Sequence, residues 1–501
     1  MKNEIKVILN GRQISALPGR TLSEIISGER PCGGHGKCGK CRVKVWGGVS
    51  EPTLAERSLL SEKELASGIR LACLTRALGD CRIERFTEAR DPQIVTQGFS
   101  AEFALNPVFT RCAVAMDIGT TTLVAQLFDP AGNVLAKASR PNPQARWGAD
   151  VISRIEAALN GDAVLLTEAI RNALNEMILE FSGVLDPKEV DAAVITGNTV
   201  MLSLLTGQSL KPFARAPFDP ENLFGQTLPA RVLSLSALES ETPVYLPPCI
   251  SAFVGGDITC AILATGLCDN KSAMLADLGT NGEMAVWHDG RLTVTSTAAG
   301  PAFEGVGITM GMQGAAGAID RVENKDGTIT AHVIGEQEAM GICGSGLVDA
   351  AACMLDMGIL DESGYLEEAF VIRHPVSVTP KDIRMLQLAK SAICAGMLTL
   401  MYASGVEPAQ IPQLYVAGGF GNYLNTDSAV QIGLLPQELA AAAQTVGNAA
   451  ISGAAMLLLD ATKKAAAREL AQKATVLDLS TSPVFSERYM MGMMFEKTSS
   501  M

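Results

Sequence analysis

The chain has 501 residues, 48% of them hydrophobic and 19% charged, with 48 glycines and an aromatic share of only 5%. That length leads us to expect two to four domains with ordinary cores, and the composition excludes a disordered or fibrous chain. A net charge of −13 argues against a general nucleic-acid binder, whose surface would be basic.

Residues 1–85 hold 15 Lys/Arg and 9 Asp/Glu, a net of +6, so the remainder carries −19. A basic head on an acidic body marks separate domains. The head opens with IKVIL and RQISAL around Asn10-Gly11, a two-residue hairpin signal. A short helix, TLSEIISG, precedes the cysteine loop PCGGHGKCGKCRV, and LACLTRA follows farther on. Cys32, Cys38, Cys41 and Cys73 thus read C-x5-C-x2-C plus a lone cysteine. Four thiolates of this kind hold a two-iron cluster, with glycines letting backbone N–H groups turn toward the sulfurs. Zinc usually takes paired C-x2-C knuckles and suits the spacing less well.

Met1 to Asn10 alternates charged and apolar residues, unlike a signal peptide. The twelve cysteines therefore read as reduced thiols or metal ligands in a cytoplasmic protein. Cys81 reads as a small core residue, and His35 as an exposed loop histidine rather than a Rieske-type ligand. Lys37, Lys40, Arg42 and Lys44 form either a solvated loop or a docking face for an acidic partner. Gly34, Gly39 and Lys40 imitate a P-loop, but Cys41 stands where Ser or Thr would hold magnesium, and that reading is rejected.

Residues 86–111 lose periodicity and are expected to be a flexible linker, reaching at most roughly 85 Å. Beyond them the chain repeats itself. Asp117, Gly119, Thr120, Ala125 and Asp129 of AMDIGTTTLVAQLFD match Asp277, Gly279, Thr280, Ala285 and Asp289 at a constant offset of 160. A duplicated strand–glycine turn–strand unit predicts two similar lobes, and helical stretches alternating with short apolar strands give an α/β body. The uncharged run Leu439–Leu459 is expected to be a buried helix rather than a membrane span. DIGTTT and DLGTNGE suit turns that aim backbone N–H and Thr hydroxyls at a triphosphate, with an Asp from each toward a metal-bound water. VAGGFGNYL places glycines after a strand, where backbone can approach an adenosine.

DIGTTT, DLGTNGE, GGFG and GNAAISGA, in that order, resemble the phosphate-1, phosphate-2, adenosine and connect-2 motifs of the actin/hexokinase/sugar-kinase ATPases. The head resembles a [2Fe–2S] β-grasp ferredoxin, its five-residue first gap being closer to the adrenodoxin-like pattern. Together they resemble the ATP-dependent reductive activators of corrinoid proteins, as do VITGNTVMLSLL, PPCISAFVGGDI, AAGPAFEGVGITMGM and GICGSGLVDA. The resemblance implies a ferredoxin domain at 1–85, the linker, and a two-lobed ATPase at 112–501. Lobe I would take 112–255 plus a return at 445–501, and lobe II 256–444.

It further implies one-electron reduction of Co(II) to Co(I) on a corrinoid protein of a methyltransferase system, fed by an unidentified electron donor. The cofactors would be a [2Fe–2S] cluster, ATP and Mg²⁺, with Cys32, Cys38, Cys41 and Cys73 on iron. Gly119, Thr120, Thr121, Gly279, Thr280 and Asn281 would line the phosphates, with Asp117 on Mg²⁺ or its waters, and Gly418, Gly419, Phe420 and Gly421 would line the adenosine. Gly344, Ser345 and Gly346 would face phosphate or ribose, unless Ser345 is a plain helix cap. Asp277 would reach Mg²⁺ or its waters. Asp257 and Glu283 are candidates for orienting the attacking water, against a cap or surface role for either. Relatives with an extra domain before the ATPase imply a homodimer; here Cys112 leads almost directly into the ATPase.

Three alternatives stand beside this reading: an activator of a radical dehydratase, a small-molecule kinase with a redox sensor, and a redox-sensing binding module. The methionine-rich tail RYMMGMMFE reads as gap filling in a last packed element rather than a corrinoid contact.

Overall fold

The computed structural model describes residues 4–26, 30–85, 94–325 and 327–496. It forms two compact units, Met1–Asp91 with Pro143–Leu166, and Pro92–Asn142 with Thr167–Met501.

The first unit carries a five-stranded sheet ordered Arg12–Ala16, Ile5–Leu9, Ala77–Arg85, Arg42–Val49, Ile69–Leu71. Asn10 (φ 46°) and Gly11 (φ 89°) make the expected turn, because that hairpin needs two left-handed residues. Alternation in IKVIL sends Ile5 and Val7 inward to meet Leu22, Val43, Val45 and Ile83. Cys81 joins them at 6% exposure, an ordinary core residue as expected. The helix Leu22–Ile25 starts at a capping box between Thr21 and Glu24. Pro143–Leu166, expected within the ATPase body, belongs to this unit instead. Its Ala149 N–H donates to the Pro31 carbonyl at 3.0 Å, and its Arg146 carbonyl accepts from Arg30 at 2.9 Å.

The second unit holds two six-stranded mixed sheets. One runs Gln226–Pro229, Pro243–Leu246, Val190–Gly197, Cys112–Ile118, Thr122–Phe128, Val134–Pro141. The other runs Ala443–Gly447, Leu414–Ala417, Ser272–Leu278, Gly282–His288, Arg291–Thr297, Thr475–Val476. The hairpin strands Cys112–Ile118 and Thr122–Phe128 recur at every bound, 160 residues on, as Ser272–Leu278 and Gly282–His288. Their pairing is not identical: Ile118 pairs with Leu123, whereas Leu278 pairs with Gly282, so the first turn is one residue longer. Consequently Asp277 stands opposite Glu283, while Asp117 stands opposite Val124.

Between the sheets lie the helices Gly256–Thr265 and Ala449–Leu459. Their residues enter two cores, Cys260 and Ile451 with the first sheet, Ile258 and Met456 with the second. A Cβ on Gly453 would sit 2.0 Å from the Cys260 carbonyl oxygen, so only glycine permits that approach.

Three expectations are corrected. The C-terminal return does not belong to lobe I alone, since Ala443–Gly447 and Thr475–Val476 complete the second sheet. The run Leu439–Leu459 is a 3₁₀ turn, a strand and then a buried helix, because Gly447 (φ 63°) and the Asn448 cap interrupt it. The linker is no free tether from Ile94 onward. Gln126 donates to the Thr96 carbonyl at 2.5 Å, the Phe99 N–H to the Val446 carbonyl at 2.8 Å, and Phe99 stacks on Tyr415. Its earlier part, 86–93, lies outside the described residues.

The tail also differs: Met490, Met491 and Met494 are exposed, and Phe495 fills the core in their place. Among the described residues one helix, Pro380–Ala403, is long and apolar enough to cross a membrane, and 78% of its apolar window is buried inside the protein.

Candidate functional site

Four thiols gather in the first unit, Cys32, Cys38 and Cys41 on the glycine-rich loop and Cys73 on the turn after the strand Ile69–Leu71. Gly33, Gly34, Gly36 and Gly39 all have positive φ, which bends the backbone so that N–H groups of Gly34, Lys37 and Cys38 reach the Cys32 sulfur. Cys41 lies 3.3 Å from Cys73, and Cys32 hydrogen-bonds Cys38. In each pair the contact holds one thiol below its ordinary pKa, Cys32 and Cys41, and its partner above. Two thiols for each of two irons is the division a [2Fe–2S] cluster requires, so this donor set fits that group.

Around the loop, His35 is exposed and meets Glu156 at 3.3 Å. Arg42 pairs with Glu64, while Lys44 and Arg82 lie over the Trp46 ring.

The second unit holds a cleft where both glycine turns converge. Asp117, Gly119, Thr120 and Thr121 line it from the first hairpin, and Asp277, Gly279, Thr280, Asn281 and Glu283 from the second. Asp257, in the first turn of the helix Gly256–Thr265, completes the floor. Burial pushes Asp117 up to about 6, partly offset by the Asn448 amide. Burial, then the charge of Asp117, raises Asp277 to about 7. Burial and the neighbouring Asp117 and Asp277 raise Asp257 to about 8. Glu283 is pushed well up by burial and by Asp257 and Asp277, as expected for like charges placed opposite one another across two strands.

Such a floor is costly alone and suited to a hard cation. Magnesium keeps waters and shares phosphate oxygens, so buried carboxylates beside two phosphate-type turns suit it. The residues present therefore fit Mg²⁺.

Gly418, Gly419 and Phe420 line the cleft after the strand Leu414–Ala417. Gly418 (φ 93°) is obligatory, since a Cβ there would lie 2.5 Å from the Leu278 carbonyl oxygen and 2.7 Å from Asp277 Oδ1. Gly344 and Ser345 also line it. Ser345 is no helix cap: Cys343 holds that position, and the Ser345 hydroxyl donates to the Asp320 carbonyl at 2.8 Å. Two expected residues stand behind the wall. Gly346 packs on the Ile319 carbonyl and Gly421 on Val416.

Sequence reasoning missed several lining residues. Asn198 donates to Thr120 Oγ1 at 3.0 Å, and Asn448 to Asp117 Oδ2 at 2.9 Å. Each follows a glycine at a strand end and caps the next helix, so the repeated Gly-Asn pair in ITGNT and TVGNA was the available signal. Phe303 and Glu304, within AAGPAFEGVGITMGM, line the cleft too, as do Ile94 and Val95 of the aperiodic segment, and none of the four was assigned a role from sequence.

Comparison with known proteins agrees with these two halves. A family model described as "2Fe-2S iron-sulfur cluster binding domain" matches residues 10–78, "RACo middle region" matches 112–270, and "C-terminal domain of RACo the ASKHA domain" matches 271–501. The corrinoid activation enzyme RamQ of Eubacterium limosum is 34% identical over 421 residues, 76% of this chain and 70% of that protein. The Co(II) methylated amine-specific corrinoid protein reductase of Methanosarcina barkeri is 28% identical, across 75% of this chain and 76% of that one. A solved reductive activator for corrinoid, iron-sulfur protein superposes with a TM-score of 0.71 at 29% identity, covering 98% of both chains. A ferredoxin-type head and an actin-like ATPase body, in one chain and in this order, place it among the reductive activators of corrinoid proteins, the family to which it belongs.

Proposed function

We propose that this protein couples ATP hydrolysis to the one-electron reduction of a corrinoid protein's Co(II) to Co(I), within a methyltransferase system. One observation carries the reading: four thiols arranged as two pairs and a cleft walled by DIGTTT and DLGTNGE occur in a single chain. Cys32, Cys38, Cys41 and Cys73 would hold the [2Fe–2S] cluster, which supplies one-electron transfer when bound. The glycine turns around them shorten the path by which backbone N–H groups stabilise thiolate charge.

In the cleft, Thr120, Thr121, Thr280 and Asn281 bind phosphate oxygens, and Gly418, Gly419 and Phe420 receive the adenosine. Asp117 and Asp277 would hold Mg²⁺ or its waters. Asp257 and Glu283, whose carboxyls burial pushes above their usual range, would orient the water that attacks the γ-phosphate, and the ionised form of either would take its proton. An uphill gap of about 250 mV for one electron corresponds to roughly 6 kcal/mol, which ATP can supply through differential affinity for the partner's two oxidation states. The same cleft without the thiol loop would suit a kinase, and the thiol loop alone an electron carrier. The cytoplasm, where thiols stay reduced, is the compartment we propose.

The test supplies a low-potential reductant, MgATP and a Co(II) corrinoid protein, and follows the cobalt absorption. Co(I) forming only with ATP supports the reading; the same rate without ATP refutes it.

A further inference from the structure

Glu304 lies on the short turn Pro301–Glu304, outside both glycine-turn motifs. The turn is held stiffly. Phe303 is 3% exposed and stacks on Phe420 with ring centroids 4.4 Å apart and planes 13° apart. On the other side, a Cβ on Gly305 (φ 77°) would meet the Met312 nitrogen at 2.4 Å. Glu304 is therefore no wandering surface carboxylate.

Its two oxygens reach opposite walls of the cleft. Thr121 Oγ1 donates to Oε2 at 2.6 Å, and Thr280 Oγ1 donates to Oε1 at 2.7 Å. One threonine comes from DIGTTT and the other from DLGTNGE. They are the same donors that the nucleotide reading assigns to phosphate oxygens. A hydroxyl carries a single proton and can donate to one acceptor at a time. Phosphate can use Thr121 and Thr280 only by taking those protons from Glu304, and the displaced carboxylate then faces another anion.

We infer that Glu304 is a positioning residue that occupies the phosphate-binding hydroxyls of both turns and yields them to the nucleotide's phosphates. This inference rests on the nucleotide reading of the cleft. It makes Glu304 a specificity determinant. Its opposition acts on the polyphosphate and leaves the adenosine untouched, so ligands with few phosphates gain nothing from its removal. It also ties the two glycine turns together through one side chain that the phosphates must dislodge, so nucleotide entry is felt by the Phe303–Phe420 stack beside the adenosine wall.

The experiment titrates the full holoprotein with adenosine, AMP, ADP and a non-hydrolysable ATP analogue, each with Mg²⁺, in wild type, Glu304→Gln and Glu304→Ala. ADP and the ATP analogue should bind about fivefold tighter or more in both variants, while adenosine and AMP change by less than about twofold. Thermal melts of each variant establish that the body is folded, and Glu304→Gln keeps the shape of the side chain. An equal shift for every ligand, no shift, or a weakened polyphosphate affinity overturns the inference. Wild-type protein that binds none of the nucleotides overturns the nucleotide reading as well. Nucleotide binding that is intact and indifferent to Glu304→Gln overturns this inference alone.

Discussion

Replacing Glu56 by Ala should cripple the redox head without touching the cluster ligands. Glu56 is fully buried and pairs with Arg70 through two contacts of 3.0 Å. It also accepts from the Leu71 N–H at 3.1 Å and the Thr75 hydroxyl at 2.9 Å. Those two residues bracket Cys73. The carboxylate therefore clamps the loop that delivers the fourth thiol. Burial alone would push Glu56 up, but Arg70 and the N–H groups of Thr53 and Leu71 outweigh it and hold the carboxyl below its usual range. Removing it strands a buried guanidinium, a change that typically costs about 3–5 kcal/mol.

For a domain of this size, about 4–8 °C of Tm accompanies each kcal/mol, so the head should melt about 12–40 °C lower. The assay is loss of visible cluster absorption on heating. Adding Arg70→Met should recover more than half of the loss, since the unpaired charge is then gone. A shift under about 2 °C, or no recovery in the double variant, would refute the reasoning. The pH signature follows from the sign of the shift. A lowered folded pKa gives stability present above the ordinary Glu value of about 4.3 and lost as pH falls through the lower native one. Glu56→Gln should flatten that acid limb.

Raised carboxylates in the cleft reverse that sign. Asp117 near 6, Asp277 near 7 and Asp257 near 8 favour the folded state when protonated, so their contribution is lost as pH rises through those values. Mg²⁺ should therefore raise the melting temperature of the body more at pH 8.5 than at pH 6, with proton release on binding seen by calorimetry in buffers of different ionisation enthalpy. Gly418→Ala should weaken ATP binding about tenfold or more by displacing Asp277, while leaving the visible spectrum of the head unchanged; equal ATP affinity would contradict the packing described. Lys390 is buried, donates to the Gly492 carbonyl at 2.7 Å and to the Met494 carbonyl, and lies over Phe495. Lys390→Met should destabilise the docked tail by about 1–3 kcal/mol, read as faster proteolysis within Pro483–Met491.

Much of the fold was legible because it is written in local signals. Asn10-Gly11 specifies its turn, and the offset of 160 between the hairpins is reproduced at every strand bound. The cleft was legible through the same turns, since close approach to phosphate needs glycine and hydroxyl at fixed places. What stayed hidden depends on distance in the chain. Glu304 meets Thr121 across 183 residues, and no spacing rule connects them. Ile94–Arg111 looked aperiodic because a strap laid over a finished surface takes its register from its partners and not from its own pattern. The one-residue difference between the two turns was likewise invisible, although it decides that Asp277 faces Glu283 and Asp117 faces Val124. Exposed Met490 and Met491 contradict composition-based reasoning, because a nearby phenylalanine took the available core volume.

The central claim is that the thiol loop and the ATP cleft serve one reaction. Its most direct measurement is the rate of Co(I) formation on a Co(II) corrinoid protein, with reductant and MgATP, in wild type, Cys38→Ala and Asp277→Asn side by side. Wild type should form Co(I). Cys38→Ala should lose it while still binding ATP, and Asp277→Asn should lose it while keeping the visible spectrum of the cluster. Undiminished Co(I) formation in either variant would contradict the account.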